Sequence, residues 1–209
     1  MEKQYHIQMT RRALGPFFSA RALDVILAAN TGQDSLLNLL HAEFHFDANA
    51  FKQAYRYAES QRRAILESAV QAHDQVKAWE ALGRWSHALQ DFYSHTNYVA
   101  LWRARHPQGP IDPLAPEILE SPALFAARVY YPLEALTYFK SLRPLMRRLL
   151  PADSHANMNL DSPRRGSRFP DAIAAAERRT ALEFQKLLAE LQVESDPAVL
   201  ARFLDGQPE

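Results

Sequence analysis

Three side chains able to bind a metal, His87, Asp91 and His95, recur every fourth residue in the stretch from Gly83 to Asn97. On an α-helix each four-residue step advances roughly 6 Å and drifts by about 40°, so the three share one face. His87 and His95 then lie about 12 Å apart along the axis, too far for one ion with ligand bonds of about 2.0–2.2 Å. Asp91, centred between them, has two oxygens with which to bridge two ions. The spacing therefore suggests a multinuclear site. The alternative is a solvated polar face, or buried histidines satisfied by hydrogen bonds. Three further places carry metal-capable side chains: His6 before a helical stretch, Asp34 after Ala29-Asn30-Thr31-Gly32, and His45-Phe46-Asp47 after a short apolar segment. Each alone is more often a helix cap or a satisfied polar group than a ligand.

The elements that must position these groups are helical. Ala, Leu, Arg, Glu and Gln fill the long segments, and strand-like alternation is absent. Ser19 caps a helix through about Asn30, broken by Thr31-Gly32, and a short helix opens at Asp34. Residues 49 to 71 read as an amphipathic helix. Asp74 caps a central helix through Trp79, Leu82, Leu89, Phe92 and Val99 to about Arg105. Six prolines and glycines between 107 and 122 mark a loop, and Pro132 and Pro144 divide residues 123 to 150 into two or three helical pieces. A polar stretch, 151 to 170, has the length of a functional loop. A long helix follows over 171 to 192, then a short one from Ser195-Asp196-Pro197. The aromatics Trp79, Trp85, Phe92, Tyr130, Tyr131, Tyr138 and Phe139 are expected in the core.

The chain of 209 residues, 47% hydrophobic, suits one domain spanning 1 to 209. Twenty-four basic residues balance twenty-four acidic ones, so no overall positive field draws it to nucleic acid. The absence of cysteine excludes disulfides, thiolate zinc sites and thiol catalysis, leaving His, Asp and Glu as ligands. With no signal-like or bilayer-spanning apolar run, the expectation is a cytoplasmic protein without stable membrane insertion.

The run His87 to Asn97, with its Asp-Phe-Tyr-Ser-His-Thr-Asn core, resembles the signature helix of the Het-C proteins, relatives of zinc-dependent phospholipase C and P1-type nucleases. Asn30 through Asp34, His45-Phe46-Asp47 and Ser154 through Asp161 resemble that group's other motifs in order, so the likeness covers residues 6 to 180. It implies an all-α helical bundle holding one to three zinc ions in a cleft. A first ion takes Asp34, His45, His87 and Asp91, with Asp34 orienting or deprotonating water. His6 and Asp91 serve another, which in the secreted phospholipases also takes the amino group and carbonyl of an N-terminal tryptophan. This chain begins Met1-Glu2-Lys3, so that pair is unmatched. His95 starts a third site that is depleted here, because Ala100 and Ala175 stand where acidic residues are expected. His155, Asp161 and Asp171 are additional candidate ligands.

The resemblance implies a zinc-dependent phosphodiester hydrolase, with phospholipid favoured over nucleic acid as substrate. Arg164, Arg165 and Arg168, or Arg143, Arg147 and Arg148, would grip the phosphate, unless they are ordinary solvated surface. The alternative is a Het-C-like, non-catalytic protein that binds a partner and keeps a structural or degenerate metal site.

Overall fold

The computed structural model describes residues 1–35, 37–71, 74–137, 139 and 141–205. Twelve helices occur among them: α1 (Lys3–Leu14), α2 (Ala20–Gly32), α3 (Ala42–His45), α4 (Phe51–Leu66), α5 (Gln75–His95), α6 (Tyr98–Arg105), α7 (Pro116–Leu119), α8 (Leu133–Leu136), α9 (Arg143–Leu149), α10 (His155–Met158), α11 (Phe169–Glu194) and α12 (Pro197–Phe203). No strand is present among the described residues, only isolated bridges pairing Thr96 with Ala126 and Arg128 with Ser154. The protein is all-helical, as its composition predicts.

Helix α5 is the axis. From Ala78 to His95 it is buried on almost every side, with only Glu80 and Arg84 reaching toward solvent. A helix buried all round must be surrounded by other elements, and α1, α2, α4, α11 and α12 all pack against it. Its apolar residues join two cores. Trp79, Leu82, Trp85 and Leu89 pack with Phe18, Ile26, Phe184 and Phe203, while Ala88, Phe92 and Tyr93 pack with Met9, Phe46, Tyr98 and Ala172. Along one side of this apolar cylinder runs a buried polar stripe of Ser86, His87, Gln90, Asp91, Ser94 and His95.

Several sequence expectations need correction. The central helix does not run unbroken to Arg105: Thr96 is extended (φ −111°, ψ 165°), and the chain re-enters a helix at Tyr98. The break is enforced from outside, because Asn97 N–H donates to the Phe125 carbonyl at 3.0 Å and its side chain bonds Ala123 O and Phe125 N–H. His6 lies inside α1 rather than before a helix. Helix α2 continues through Thr31 and Gly32, and Asp34 sits in the turn after it instead of opening a new helix. The polar stretch 151–170 carries α10 and a short 3-10 turn over Pro163–Arg165, and α11 begins earlier than expected, at Phe169. Of the expected core aromatics, Trp79, Trp85 and Phe92 are buried, whereas Tyr131 and Phe139 are more than half exposed. Tyr138 lies outside the described residues.

Candidate metal centre

Asp91 occupies the middle of the stripe, fully buried, and its two oxygens face different partners. Oδ2 lies 2.9 Å from His45 Nδ1 and 2.9 Å from His87 Nε2, and these two nitrogens are 3.1 Å apart. Asp34 Oδ1 stands 3.7 Å from His87 Nε2. Oδ1 lies 3.2 Å from His6 Nε2 and accepts from the Met1 amino group at 2.6 Å. His6, Asp34, His87 and Asp91 each bring a ligand atom to within 4.8 Å of one another. The rings of His6 and His87 are stacked with centroids 4.3 Å apart, which limits how either can turn.

One helical turn further on, a second cluster forms around His95. Asp47, His95 and His155 also converge within 4.8 Å. His95 Nδ1 is 2.9 Å from the backbone carbonyl of His45 and must donate to it, so Nε2 is the nitrogen presented to Asp161 Oδ1 at 3.1 Å. His155 lies between Asp47 (3.4 Å) and Asp161 (3.6 Å). The Met1 amino group, 3.2 Å from Asp161 and 2.6 Å from Asp91, links the two clusters. No role was assigned from sequence to Met1, where the resemblance left a ligand pair unmatched. Asp47, which the sequence marks only as part of the metal-capable His45-Phe46-Asp47 run, belongs to the second cluster and not to the first.

Local chain geometry explains the convergence. Phe46 caps α3 in the left-handed region (φ 55°), which is costly for an aromatic residue. Its ring is buried against Phe92 and Tyr55. With Phe46 so anchored, the flanking His45 enters the first cluster and Asp47 the second. Ala48 N–H donates to Ala127 O, and Asn49 Oδ1 accepts from Ala126 N–H, both at 2.6 Å, so the loop is pinned to the segment that also breaks the helix at Thr96. The 160s loop is held by Leu160 N–H to Ser94 O (2.9 Å) and Ser94 Oγ to Asp161 Oδ1 (2.7 Å).

The electrostatics separate the two clusters. Burial penalises the Asp91 charge, but the Met1 ammonium, His95, His87 and His6 outweigh it and hold the carboxyl well below the usual range. Burial drives His87 down to about 4, only partly offset by Asp91, so this ring is a neutral lone-pair donor at pH 7. In the second cluster, burial also opposes the charged imidazoles, yet Asp47 and Asp91 raise His95, and Asp47 and Asp161 raise His155 well above the ordinary value. Asp47 and Asp161 are correspondingly lowered against their own burial penalty, by His155 and His95 on Asp47 and by the Met1 ammonium and the two histidines on Asp161. The Met1 ammonium, although buried, is raised to about 11 by Asp161, Asp91 and Asp34.

The other sequence candidates lie elsewhere. Asp171 is drawn into a two-pronged ion pair with Arg103 and takes no part in either cluster. Arg165 donates to the Ala156 carbonyl at 2.7 Å, which ties down the loop, while Arg164 and Arg168 are exposed.

Comparison with known proteins redirects the family assignment. The family model described as the VWA7 N-terminal domain matches residues 5–112, just over half of the chain. The proteins named von Willebrand factor A domain-containing protein 7 of Rattus norvegicus and Mus musculus are each 39% identical over 99 residues, covering 44% of this chain and 11% of the relative. That of Homo sapiens is 39% identical over 92 residues, covering 42% of this chain and 10% of the relative. The match thus spans about a tenth of these much longer relatives. No solved structure matches significantly. These findings overturn the resemblance to Het-C proteins, phospholipase C and P1 nucleases, and with it the expected phosphodiester hydrolase. A helix-rich composition and a short His/Asp-rich run do not by themselves establish kinship. His6, Asp34, His45, Asp47, His87, Asp91 and His95 all fall within the matched span, whereas His155 and Asp161 lie outside it. The chain belongs to the VWA7 N-terminal domain family.

Proposed function

We propose that the chain is a metal-binding helical module whose first cluster, His6, Asp34, His45, His87 and Asp91, takes a divalent transition-metal ion, zinc being the best fit. The observation that carries this reading is the triangle of Asp91 Oδ2, His45 Nδ1 and His87 Nε2, with edges of 2.9, 2.9 and 3.1 Å. Protons satisfy such a triangle poorly. If both rings donate to the carboxylate, two N–H groups confront each other across 3.1 Å; if one does not, a lone pair is left facing its neighbours. A cation suits three convergent lone pairs, and ligand atoms in a tetrahedral zinc shell lie about 3.3 Å apart given bonds near 2.0–2.1 Å. Mixed imidazole and carboxylate donors favour zinc-like ions over magnesium or calcium. The burial of His6, His45, His87 and Asp91, with only Asp34 partly exposed, favours a structural role, in which the ion ties α1, Asp34 and α3 to α5.

The test is metal content and stability of the intact chain. After purification without added metal, elemental analysis should find about one zinc per chain. Chelator treatment should lower Tm, and added zinc should restore it. At a hundredfold excess over Kd the ion contributes about 2.7 kcal/mol, which for a chain of this size is about 5–10 °C. A chelated protein whose Tm is insensitive to zinc, cobalt and manganese would end the proposal.

A further inference from the structure

Beside the first cluster lies a buried polar network that the metal-binding reading leaves without a role: Thr10, Asn30, Ser86, Gln90 and Thr180, each at most 2% exposed. Its hydrogen bonds have a fixed polarity that can be traced donor by donor. Ser86 Oγ–H donates to the Gly83 carbonyl at 2.9 Å, and Thr180 Oγ1–H donates to the Ala176 carbonyl at 2.8 Å. With their protons committed, both hydroxyls accept from side-chain amides. Asn30 Nδ2 donates to Ser86 Oγ at 3.0 Å; Gln90 Nε2 donates to Thr180 Oγ1 at 3.4 Å and to Thr10 Oγ1 at 3.0 Å. Asn30 Nδ2 also reaches Gln90 Oε1 at 3.3 Å, which again requires Gln90 to present oxygen on that side. Gln90 Oε1 therefore faces His6 Nδ1, 2.7 Å away, as an acceptor, and an acceptor there demands that Nδ1 carry the proton. The other ring nitrogen, Nε2, is buried without a hydrogen-bond partner, 3.2 Å from Asp91 Oδ1. In a neutral ring it is a bare lone pair aimed at a carboxylate.

We propose that Gln90 is a positioning residue that fixes His6 as its Nδ1–H tautomer and presents the Nε2 lone pair to the Asp91 side of the cluster. That Nε2 then ligates an ion rests on the metal-binding reading above; the tautomer does not. An outer hydrogen bond that fixes the tautomer and raises ligand basicity is worth 10–100-fold in metal affinity.

The experiment compares wild type with Gln90→Glu, which keeps an acceptor against His6, and Gln90→Leu, which removes it. Long-range proton–nitrogen NMR of the 15N-histidine-labelled, metal-free chain at pH 8.5 should show His6 protonated on Nδ1 in wild type and Gln90→Glu. In Gln90→Leu the ring should lose that preference. Zinc affinity should fall roughly 10–100-fold in Gln90→Leu and stay within a few-fold of wild type in Gln90→Glu. A role confined to packing would instead leave the His6 tautomer unchanged in Gln90→Leu, whatever happens to Tm. His6 protonated on Nε2 in the wild-type chain overturns the proposal, and that measurement decides even where Gln90→Leu does not fold. Nδ1 protonation in a chain that takes up no metal supports the positioning of His6 and overturns the metal-binding reading alone.

Discussion

At the scale of single residues, Asp91 is the hub because each of its oxygens serves a different set: Oδ2 faces His45 and His87, and Oδ1 faces His6 and Met1. Asp91→Asn keeps the shape but replaces one oxygen with an N–H donor. That donor points at ring nitrogens or at the Met1 ammonium, so no orientation of the amide suits both sides. Zinc affinity is expected to drop by at least a hundredfold. His95→Ala should cost about tenfold or less, because His95 Nε2 stands 4.0 Å from Asp91 Oδ1, against 2.9 Å for the His45 and His87 nitrogens at Oδ2. Calorimetric titration of both variants gives the ranking, and the reverse order would place the ion in the Asp47, His95, His155 cluster. The spacing of His87, Asp91 and His95 showed in sequence that the three share a face, and that Asp91 is placed to serve two sites. It could not show that Gln90, one residue earlier, orients His6 from 84 positions away, because glutamine has no spacing signature and its role depends on hydroxyls supplied by α1 and α11.

At the scale of elements, the site depends on how closely α2 approaches α5, and Gly83 sets that distance. A Cβ built there would fall 2.3 Å from the Ile26 carbonyl oxygen, 2.8 Å from Ala29 Cβ and 2.9 Å from Asn30 N, all on α2 and two of them backbone atoms. Rotamer changes cannot relieve such contacts, so Gly83→Ala must push the helices apart and carry Asn30 and Asp34 away from Gln90 and His87. Overpacking of this kind costs about 1–3 kcal/mol, against a gain of up to about 1 kcal/mol from the better helix former. Denaturant unfolding should therefore show net destabilisation, together with weaker zinc binding; a more stable Gly83→Ala chain would mean that α2 is not held this tightly. The sequence showed α4, α5 and α11 through long helical periods. It hid α1, whose polar face is mostly solvated while His6, Met9, Thr10, Ala13 and Leu14 turn inward. It also hid the break at Thr96, which is imposed by residues 123–126 rather than by any local proline or glycine. Both depend on contacts distant in sequence.

At the scale of the whole molecule, the two clusters give the metal-free protein a stability optimum in pH. Burial holds His87 down to about 4 in the folded chain, whereas an unfolded histidine titrates near 6.5. Between those values the unfolded chain holds a proton that the folded chain lacks, so stability is lost as pH falls from 6.5 toward 4. His95 and His155 have the opposite sign. Their folded values are raised, so their contribution is complete below about 6.5 and is lost as pH rises through those values. The Met1 amino group acts in the same sense further up: it contributes fully below about 8 and loses that contribution as pH approaches about 11. Asp47, Asp91 and Asp161 are lowered, so what they add is present above about 4 and fades only at lower pH. Together these place the optimum near neutrality. One unmatched proton changes stability by about 1.4 kcal/mol per pH unit, which corresponds to about 3–5 °C in Tm for a chain of this length. Thermal melts in excess chelator from pH 4.5 to 9 should therefore rise by that slope toward pH 6.5 and decline on the alkaline side. Zinc should raise Tm across this range and leave the shape of the alkaline limb largely unchanged, because the histidines that titrate there, His95 and His155, lie outside the proposed ion site, whereas His87 is already neutral. A chelated Tm that climbs steadily from pH 6 to 9 would mean that His95 and His155 are neutral in the folded chain, and that their carboxylate neighbours are balanced in some other way.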